Sequence, residues 1–153
     1  MHVVLIEPEI PQNTGNIART CVMTGSTLHL IGKMGFSLDD RHLRRAGLDY
    51  WQYLTFFHYR KFDSFLSFNR GGNYYFFTTG GKKKYTDTSY QQNDFLIFGK
   101  ETAGLPQEIL ERWKDYCLRI PMIDGIPRSL NLSNAVAIVL YEALCRQGFP
   151  GMI

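Results

Sequence analysis

The chain has 153 residues, 44% hydrophobic and 20% charged, with a formal net charge of +3. That length suits one domain, spanning residues 1–153, with a substantial core. The mild charge argues against a polybasic nucleic-acid tail while permitting a local basic face.

The 3 cysteines, Cys21, Cys117 and Cys145, are odd in number and widely spaced. They fit neither a disulfide framework nor a C-x-x-C metal site, and a reducing cytosol is the natural compartment. No apolar run approaches the roughly 20 residues of a membrane span, and the N-terminus opens into a strand rather than a signal run. A cytoplasmic protein off the membrane is expected.

The first element is an apolar strand, Val3-Val4-Leu5-Ile6, followed by Pro8-Glu9-Ile10-Pro11-Gln12-Asn13-Thr14-Gly15-Asn16. Asn13 or Thr14 is expected to cap a helix carrying Ile17, Cys21 and Val22 and ending near Gly25. Thr27 to Ile31 reads as a second strand. Ser37-Leu38-Asp39-Asp40 resembles a capping box opening a short helix through Arg45, with Gly47 ending it.

The β-formers from Tyr53 to His58 precede a helical spacing of Phe62, Phe65 and Leu66. Tyr74 to Thr79 is a strand running into Gly80-Gly81, and the polar stretch from Lys82 to Gln92 is expected to be a mobile loop. A strand from Phe95, a helix from about Pro106 to Trp113, a strand from Tyr116 to Ile120 and a helix to about Gln147 complete the order. Alternating strands and helices predict an α/β fold with a mostly parallel sheet flanked by helices.

Familiar nucleotide loops are missing. No Gly-x-Gly-x-x-Gly follows the first strand. Gly99 and Gly104 have Walker A glycine spacing, but Leu105-Pro106 stands where Lys and Ser or Thr belong. No His-Glu-x-x-His or other ligand spacing suggests a metal.

Three stretches nevertheless carry more polar chemistry than their elements need. The first is the Pro8 to Arg19 segment after the first strand. The second is Phe98-Gly99-Lys100-Glu101-Thr102-Ala103-Gly104-Leu105-Pro106 after the Phe95 strand. The third is Ile120-Pro121-Met122 leading to Arg128-Ser129-Leu130-Asn131-Leu132-Ser133-Asn134 at the mouth of an apolar helix. A helix start needs one capping side chain; Ser129, Asn131, Ser133 and Asn134 are all present. Each stretch sits at a strand's carboxyl end or a helix mouth, where α/β sheets place ligands.

In this order and spacing the three motifs resemble the trefoil-knotted SPOUT methyltransferases that act on RNA ribose 2′-hydroxyls, over essentially the whole chain. Glu7 through Asn16, and Leu43-Arg44-Arg45-Ala46-Gly47-Leu48-Asp49-Tyr50, are similar to the small group that methylates the tRNA wobble cytidine or uridine. The resemblance implies a deep C-terminal trefoil knot, an exception to the rule against knots. It also implies a homodimer with a shared active site, S-adenosylmethionine as methyl donor leaving as S-adenosylhomocysteine, tRNA as substrate, and no metal.

By motif position, the resemblance assigns the cofactor to Phe77, Thr78, Thr79, Gly99, Glu101, Gly104, Ile120, Ser129 and Leu130. Catalysis falls to Asn13, Arg19, Glu101, Ser129 and Asn131. Arg19 either activates the 2′-hydroxyl or clamps a neighbouring phosphate, since a guanidinium stays protonated. Glu101 either anchors its loop or orients substrate; Ser129 and Asn131 position the ribose or the methionine moiety. Lys100 stands where the family often has proline and Ala103 where it often has a basic residue, and the second departure puts any phosphate contact from position 103 in doubt.

RNA capture is expected from Arg19, from Arg41, Arg44 and Arg45, and from Lys82 and Lys83 beside Lys84 and Tyr85, cations for phosphates with an aromatic for stacking. Tyr141 on the last helix is expected at a subunit interface. The competing readings are a related enzyme acting at another RNA site and a knotted RNA-binding protein without activity.

Overall fold

The computed structural model describes residues 1–37 and 50–153. The helix expected from Ser37 through Arg45 therefore falls largely outside the described residues, as do Arg41, Arg44 and Arg45.

Seven strands form one sheet. They are β1 (His2–Ile6), β2 (Thr27–Ile31), β3 (Phe56–Tyr59), β4 (Tyr74–Phe77), β5 (Lys83–Lys84), β6 (Phe95–Phe98) and β7 (Cys117–Arg119), in the order β3-β2-β1-β6-β4-β7-β5. Every pairing is parallel. Among the described residues the α-helices are α1 (Pro11–Met23), α2 (Phe62–Phe68), α3 (Gln107–Arg112) and α4 (Leu132–Cys145).

The central strands are apolar on both faces, as a parallel sheet covered by helices requires. Val3, Leu5, Leu28, Leu30, Leu96 and Phe98 pack with Ile17, Ala18 and Cys21 of α1 and Val136, Val139, Leu140 and Ala143 of α4. The alternate residues Val4, Ile6, Ile31, Ile97 and Phe76 pack with Phe65 of α2 and Ile109 of α3. Truncating a fully buried member such as Ile17 to alanine costs about 2–5 kcal/mol.

Two local expectations are corrected. Asn13 and Thr14 do not cap α1. Pro11 takes the first helical position, where its missing N–H costs nothing, and both residues are buried inside the first turn. The Lys82–Gln92 stretch is ordered rather than a mobile loop. Lys83 and Lys84 add strand β5 alongside β7, a 3-10 turn follows over Tyr85–Asp87, and Tyr90 is buried with its hydroxyl donating to the Tyr85 carbonyl at 2.5 Å. One buried aromatic and one ladder outweigh the polar composition.

The chain crosses β7 in an unusual way. Phe77 of β4 and Lys83 of β5 are both register partners of Leu118, one on each side of β7. Residues 78–82 must therefore pass across that strand. Thr78 N–H donates to the Leu118 carbonyl at 3.0 Å, and a Cβ on Gly81 would fall 2.5 Å from the Leu118 carbonyl carbon.

Candidate active site

Because β6, β4 and β7 are neighbours in the sheet, the loops leaving their carboxyl ends emerge side by side. β1, the other neighbour of β6, delivers the first motif to the same edge. One run of hydrogen bonds joins the three motifs there. Asn131 Nδ2 donates to Asn13 Oδ1 at 3.0 Å, and Asn13 Nδ2 donates to Glu101 Oε1 at 3.1 Å. Glu101 also accepts from the backbone N–H of Ile10 on Oε1 at 3.2 Å and of Glu9 on Oε2 at 2.8 Å.

The first and second motifs are held by a reciprocal clasp. While Glu101 accepts from the Glu9 and Ile10 amides, Glu9 Oε2 accepts from the Thr102 hydroxyl at 2.7 Å and the Thr102 N–H at 3.1 Å. The Thr102 hydroxyl holds the Glu9 carboxyl below its ordinary pKa, helped by the Thr102 N–H and the Lys100 ammonium. A second tie lies one step back, where Lys100 Nζ pairs with Glu7 Oε2 at 3.1 Å. Glu7 has φ of 51°, a left-handed conformation rare outside glycine and costing about 1–3 kcal/mol. The strained turn thus sits where β1 hands over to the first motif.

Asn131 does two jobs. It is the N-cap of α4, its Oδ1 accepting from Ser133 N–H at 2.9 Å and Ser133 Oγ at 2.7 Å. Its Nδ2 is left to reach Asn13 across 118 residues of sequence. The surplus of polar residues at the helix mouth has its physical account in that division.

The second-motif glycines have different duties. Gly104 has φ of +69°, and its N–H and carbonyl exchange hydrogen bonds with Lys100 at 2.9 and 3.2 Å. A Cβ on Gly99 would fall 2.0 Å from the Gly104 carbonyl carbon. Gly99 is therefore required by the loop's closure on itself, rather than by space for a ligand alone.

Other expected residues spread outward from this centre. Phe77 is buried and stacked on Phe98 at 4.7 Å, so only its backbone can face a ligand. Thr78 is half-buried and Thr79 exposed, Ile120 is half-buried, and Ser129 and Leu130 are exposed. Ser129 makes no hydrogen bond among the described residues. Through 121–130 every residue is exposed, and the backbone donates one hydrogen bond, from Gly125 N–H to Asp124 Oδ1 at 2.8 Å.

Arg19 is not part of the asparagine–glutamate run. It is exposed, with its guanidinium carbon 5.6 Å from the centre of the Tyr50 ring. Six residues along a helix is roughly 9 Å and about 120° around the axis from Asn13. Lys82 and Lys83 are exposed beside β7.

Sequence reading missed the Glu9–Thr102 and Glu7–Lys100 ties, which join residues 93 apart. Glu7, Glu9, Lys100 and Thr102 all lie inside the quoted motifs, and no periodicity signals their pairing.

The model of the SpoU rRNA methylase family matches residues 1–141, and the chain belongs to that family. A Geobacillus stearothermophilus protein provisionally named a tRNA (cytidine(34)-2′-O)-methyltransferase is 53% identical, covering 99% of this chain and 98% of that one. The Escherichia coli K12 tRNA (cytidine(34)-2′-O)-methyltransferase is 46% identical, covering 100% and 98%.

Among solved structures, one concerned with 2-OH methylation of C/U34 on tRNA superposes with a TM-score of 0.90 at 42% identity, covering 96% and 95%. The SpoU methyltransferase AviRb from Streptomyces viridochromogenes, in complex with the cofactor AdoMet, superposes with a TM-score of 0.85 at 26% identity, covering 99% of this chain and 58% of that one.

Proposed function

We propose that this chain is an S-adenosylmethionine-dependent tRNA methyltransferase acting on the ribose 2′-hydroxyl of the wobble cytidine or uridine, working in the cytoplasm as a homodimer of single-domain subunits. The observation that carries the reading is the hydrogen-bonded run Asn131–Asn13–Glu101, which draws the three motifs to one edge of the sheet. The names of the relatives point the same way, with a shared activity on tRNA position 34.

The residues present fit the methyl donor. Phe77 to Thr79, Gly99 to Gly104 and Ile120 to Leu130 leave three adjacent strands, and the exposed 121–130 segment keeps nearly all its backbone groups free for a ligand. Met122, Ile126 and Leu130 add exposed apolar surface for a thioether chain or a purine. When bound there, S-adenosylmethionine supplies a methyl group already activated by its sulfonium, so the reaction calls for no metal. The crossing of residues 78–82 over β7 supports a threaded C-terminus and the trefoil knot.

The chain's own task is to position reactants and manage one proton. Glu101 has both oxygens engaged by three donors, which suits it to fixing Asn13 and the first motif rather than to accepting the proton. Asn13 and Asn131 fix each other and so set the relation of the first helix to the last. Arg19, always charged, holds an RNA phosphate or steadies the ribose oxygen as its proton leaves to solvent. Because Arg19 is exposed and makes no hydrogen bond to the Asn131–Asn13–Glu101 run, it suits a site composed between two copies. Lys82 and Lys83, with Arg41, Arg44 and Arg45, complete the RNA contacts in this reading.

The test is direct. Purified protein incubated with S-adenosylmethionine and unfractionated tRNA should produce 2′-O-methylcytidine or 2′-O-methyluridine, mapped to the wobble position by nuclease digestion and mass spectrometry. Methylation confined to another nucleotide, or to a base, would refute the assignment.

A further inference from the structure

β5 is only Lys83 and Lys84, and its register on β7 sets Lys83 beside Leu118 and Lys84 beside Arg119. Side chains of strand partners share a face. Leu118 turns into the core on the α1 and α4 side, whereas Cys117, and hence Arg119, belongs to the opposite face. Two cations, Lys84 and Arg119, therefore stand next to one another on neighbouring strands. Both are exposed, and no ion pair joins either to a carboxylate among the described residues. The nearest acid in sequence, Asp87, accepts from the Lys84 backbone N–H at 3.2 Å and the Thr86 hydroxyl at 3.4 Å.

Like charges placed directly opposite on a sheet are destabilising. Lysine at a sheet edge does have a protective role, discouraging pairing with another chain. That role explains Lys84 on the edge strand but not Arg119, which lies one strand in. The pair's location adds a second constraint. Arg119 immediately precedes Ile120, where the expected cofactor loop begins, and Lys84 follows the 78–82 crossing that packs Gly81 on the backbone of Leu118 and Arg119. The two charges thus flank two of the three loops assigned to the methyl donor.

We propose that Lys84 and Arg119 form a two-cation clamp for one phosphate of the RNA strand, setting that strand's register beside the cofactor loops. The proposal rests on the RNA-substrate reading above. Arg119 supplies a planar fork for phosphate oxygens and Lys84 a mobile point charge. α4 steadies the clamp, because Arg146 donates to the Thr86 carbonyl at 3.2 Å just beyond Lys84. The phosphate supplies the anion that the bare sheet lacks.

The decisive variant is Lys84→Glu, in which stability and RNA binding should move in opposite senses. A glutamate beside Arg119 makes an opposite-charge cross-strand pair and still guards the edge, so the melting temperature should hold or rise. Affinity for S-adenosylmethionine, measured by calorimetry, should be unchanged. Affinity for unfractionated tRNA should fall about tenfold or more at roughly 0.1 M salt. The slope of log affinity against log salt should flatten by about 1.5–2, because both phosphate contacts are lost.

Wild-type tRNA affinity and slope in Lys84→Glu would overturn the clamp while leaving the enzymatic reading intact. If that variant folds poorly, Lys84→Gln and Arg119→Gln should each flatten the slope by about one; unchanged slopes in both would overturn it equally. Absence of tRNA binding by the wild-type protein would instead defeat the RNA-substrate reading, and the clamp with it.

Discussion

Arg19 and Asn13 entered together from one motif, yet they occupy different surroundings. Asn13 is buried and has both amide atoms engaged, whereas Arg19 is exposed above the Tyr50 ring. Removing Asn13 would disturb the architecture; removing Arg19 should disturb chiefly the chemistry. Arg19→Ala is expected to leave folding and S-adenosylmethionine affinity near wild type and to lower tRNA methylation at least about a hundredfold. Arg19→Lys separates two roles, since lysine keeps the charge without the planar fork. Rescue by lysine in single-turnover assays indicates phosphate attraction; little rescue indicates bidentate orientation of the ribose or its phosphate. Near-normal turnover of Arg19→Ala at saturating tRNA would remove Arg19 from the site. A second residue-scale expectation concerns His2 and His29, whose Nδ1 and Nε2 lie 3.0 Å apart. Burial pushes His2 down to about 4, helped by the N-terminal charge, and burial pushes His29 down to about 3, helped by His2. Both folded values lie below the ordinary histidine value of about 6.5, so the unfolded chain binds more protons between these limits. Stability should be complete above about pH 6.5 and fall as the pH drops toward 4. His29→Phe, in a site ringed by Phe57, Tyr59, Phe65 and Phe95, should flatten that decline; urea titrations from pH 7.5 to 5 that show the same slope for both proteins would refute this.

Among the elements, what the sequence made legible depended on how local the causes were. Strands β1, β2, β4 and β6 are dominated by apolar and aromatic residues that are largely buried, and each was readable from its own composition. The Lys82–Gln92 stretch was not, because its order comes from a ladder to β7 and from Tyr90 filling a core gap, neither of which leaves a local pattern. The start of α1 misled for a similar reason. Asn13 and Thr14 look like caps, but Asn13 is turned to partners 88 and 118 residues away. The motif residues were identifiable by resemblance, whereas their joining through Glu101 links residues 88 apart in sequence and leaves no local pattern. The second-motif loop offers a test at this scale. Gly99→Ala puts a Cβ 2.0 Å from the Gly104 carbonyl carbon, so the backbone there must shift, while a Cβ on Gly104 meets nothing within 4 Å. Gly104→Ala should therefore pay only the left-handed backbone cost of about 1–2 kcal/mol and keep measurable S-adenosylmethionine affinity. Gly99→Ala should open the Lys100–Gly104 bridge and lose that affinity by calorimetry. Equal behaviour of the two variants would show that loop closure is not what Gly99 provides.

For the molecule as a whole, the helices on one face of the sheet carry apolar surface that the chain itself does not cover. On the α1 and α4 side, several large apolar side chains remain exposed: Met23 at 59%, Ile138 at 38% and Tyr141 at 43%, with Phe149 at 38% just beyond α4. Tyr141 and Phe149 have ring centres 6.5 Å apart, so part of this surface is one aromatic patch. Scattered exposed apolar residues need no explanation, but neighbouring ones on packed helices suggest a covered surface. Arg19 lies on α1, exposed and about 120° around the helix axis from Asn13. A second copy seated on these helices would bury the apolar residues and let the two chains build a site that neither completes alone. The chain is therefore expected to be a stable dimer, with a light-scattering mass near twice its 17.7 kDa. Tyr141→Glu, which drives a charge into the proposed interface without touching the Asn131–Asn13–Glu101 run, should shift the protein toward monomer and lower methylation in step. Adding Arg19→Ala protein to Tyr141→Glu protein would not be a clean complementation test, since both bear on the same helices; sedimentation and activity measured across a dilution series are cleaner. Activity per subunit should fall as the dimer dissociates, and a monomer that methylates tRNA at the full rate would refute the shared site.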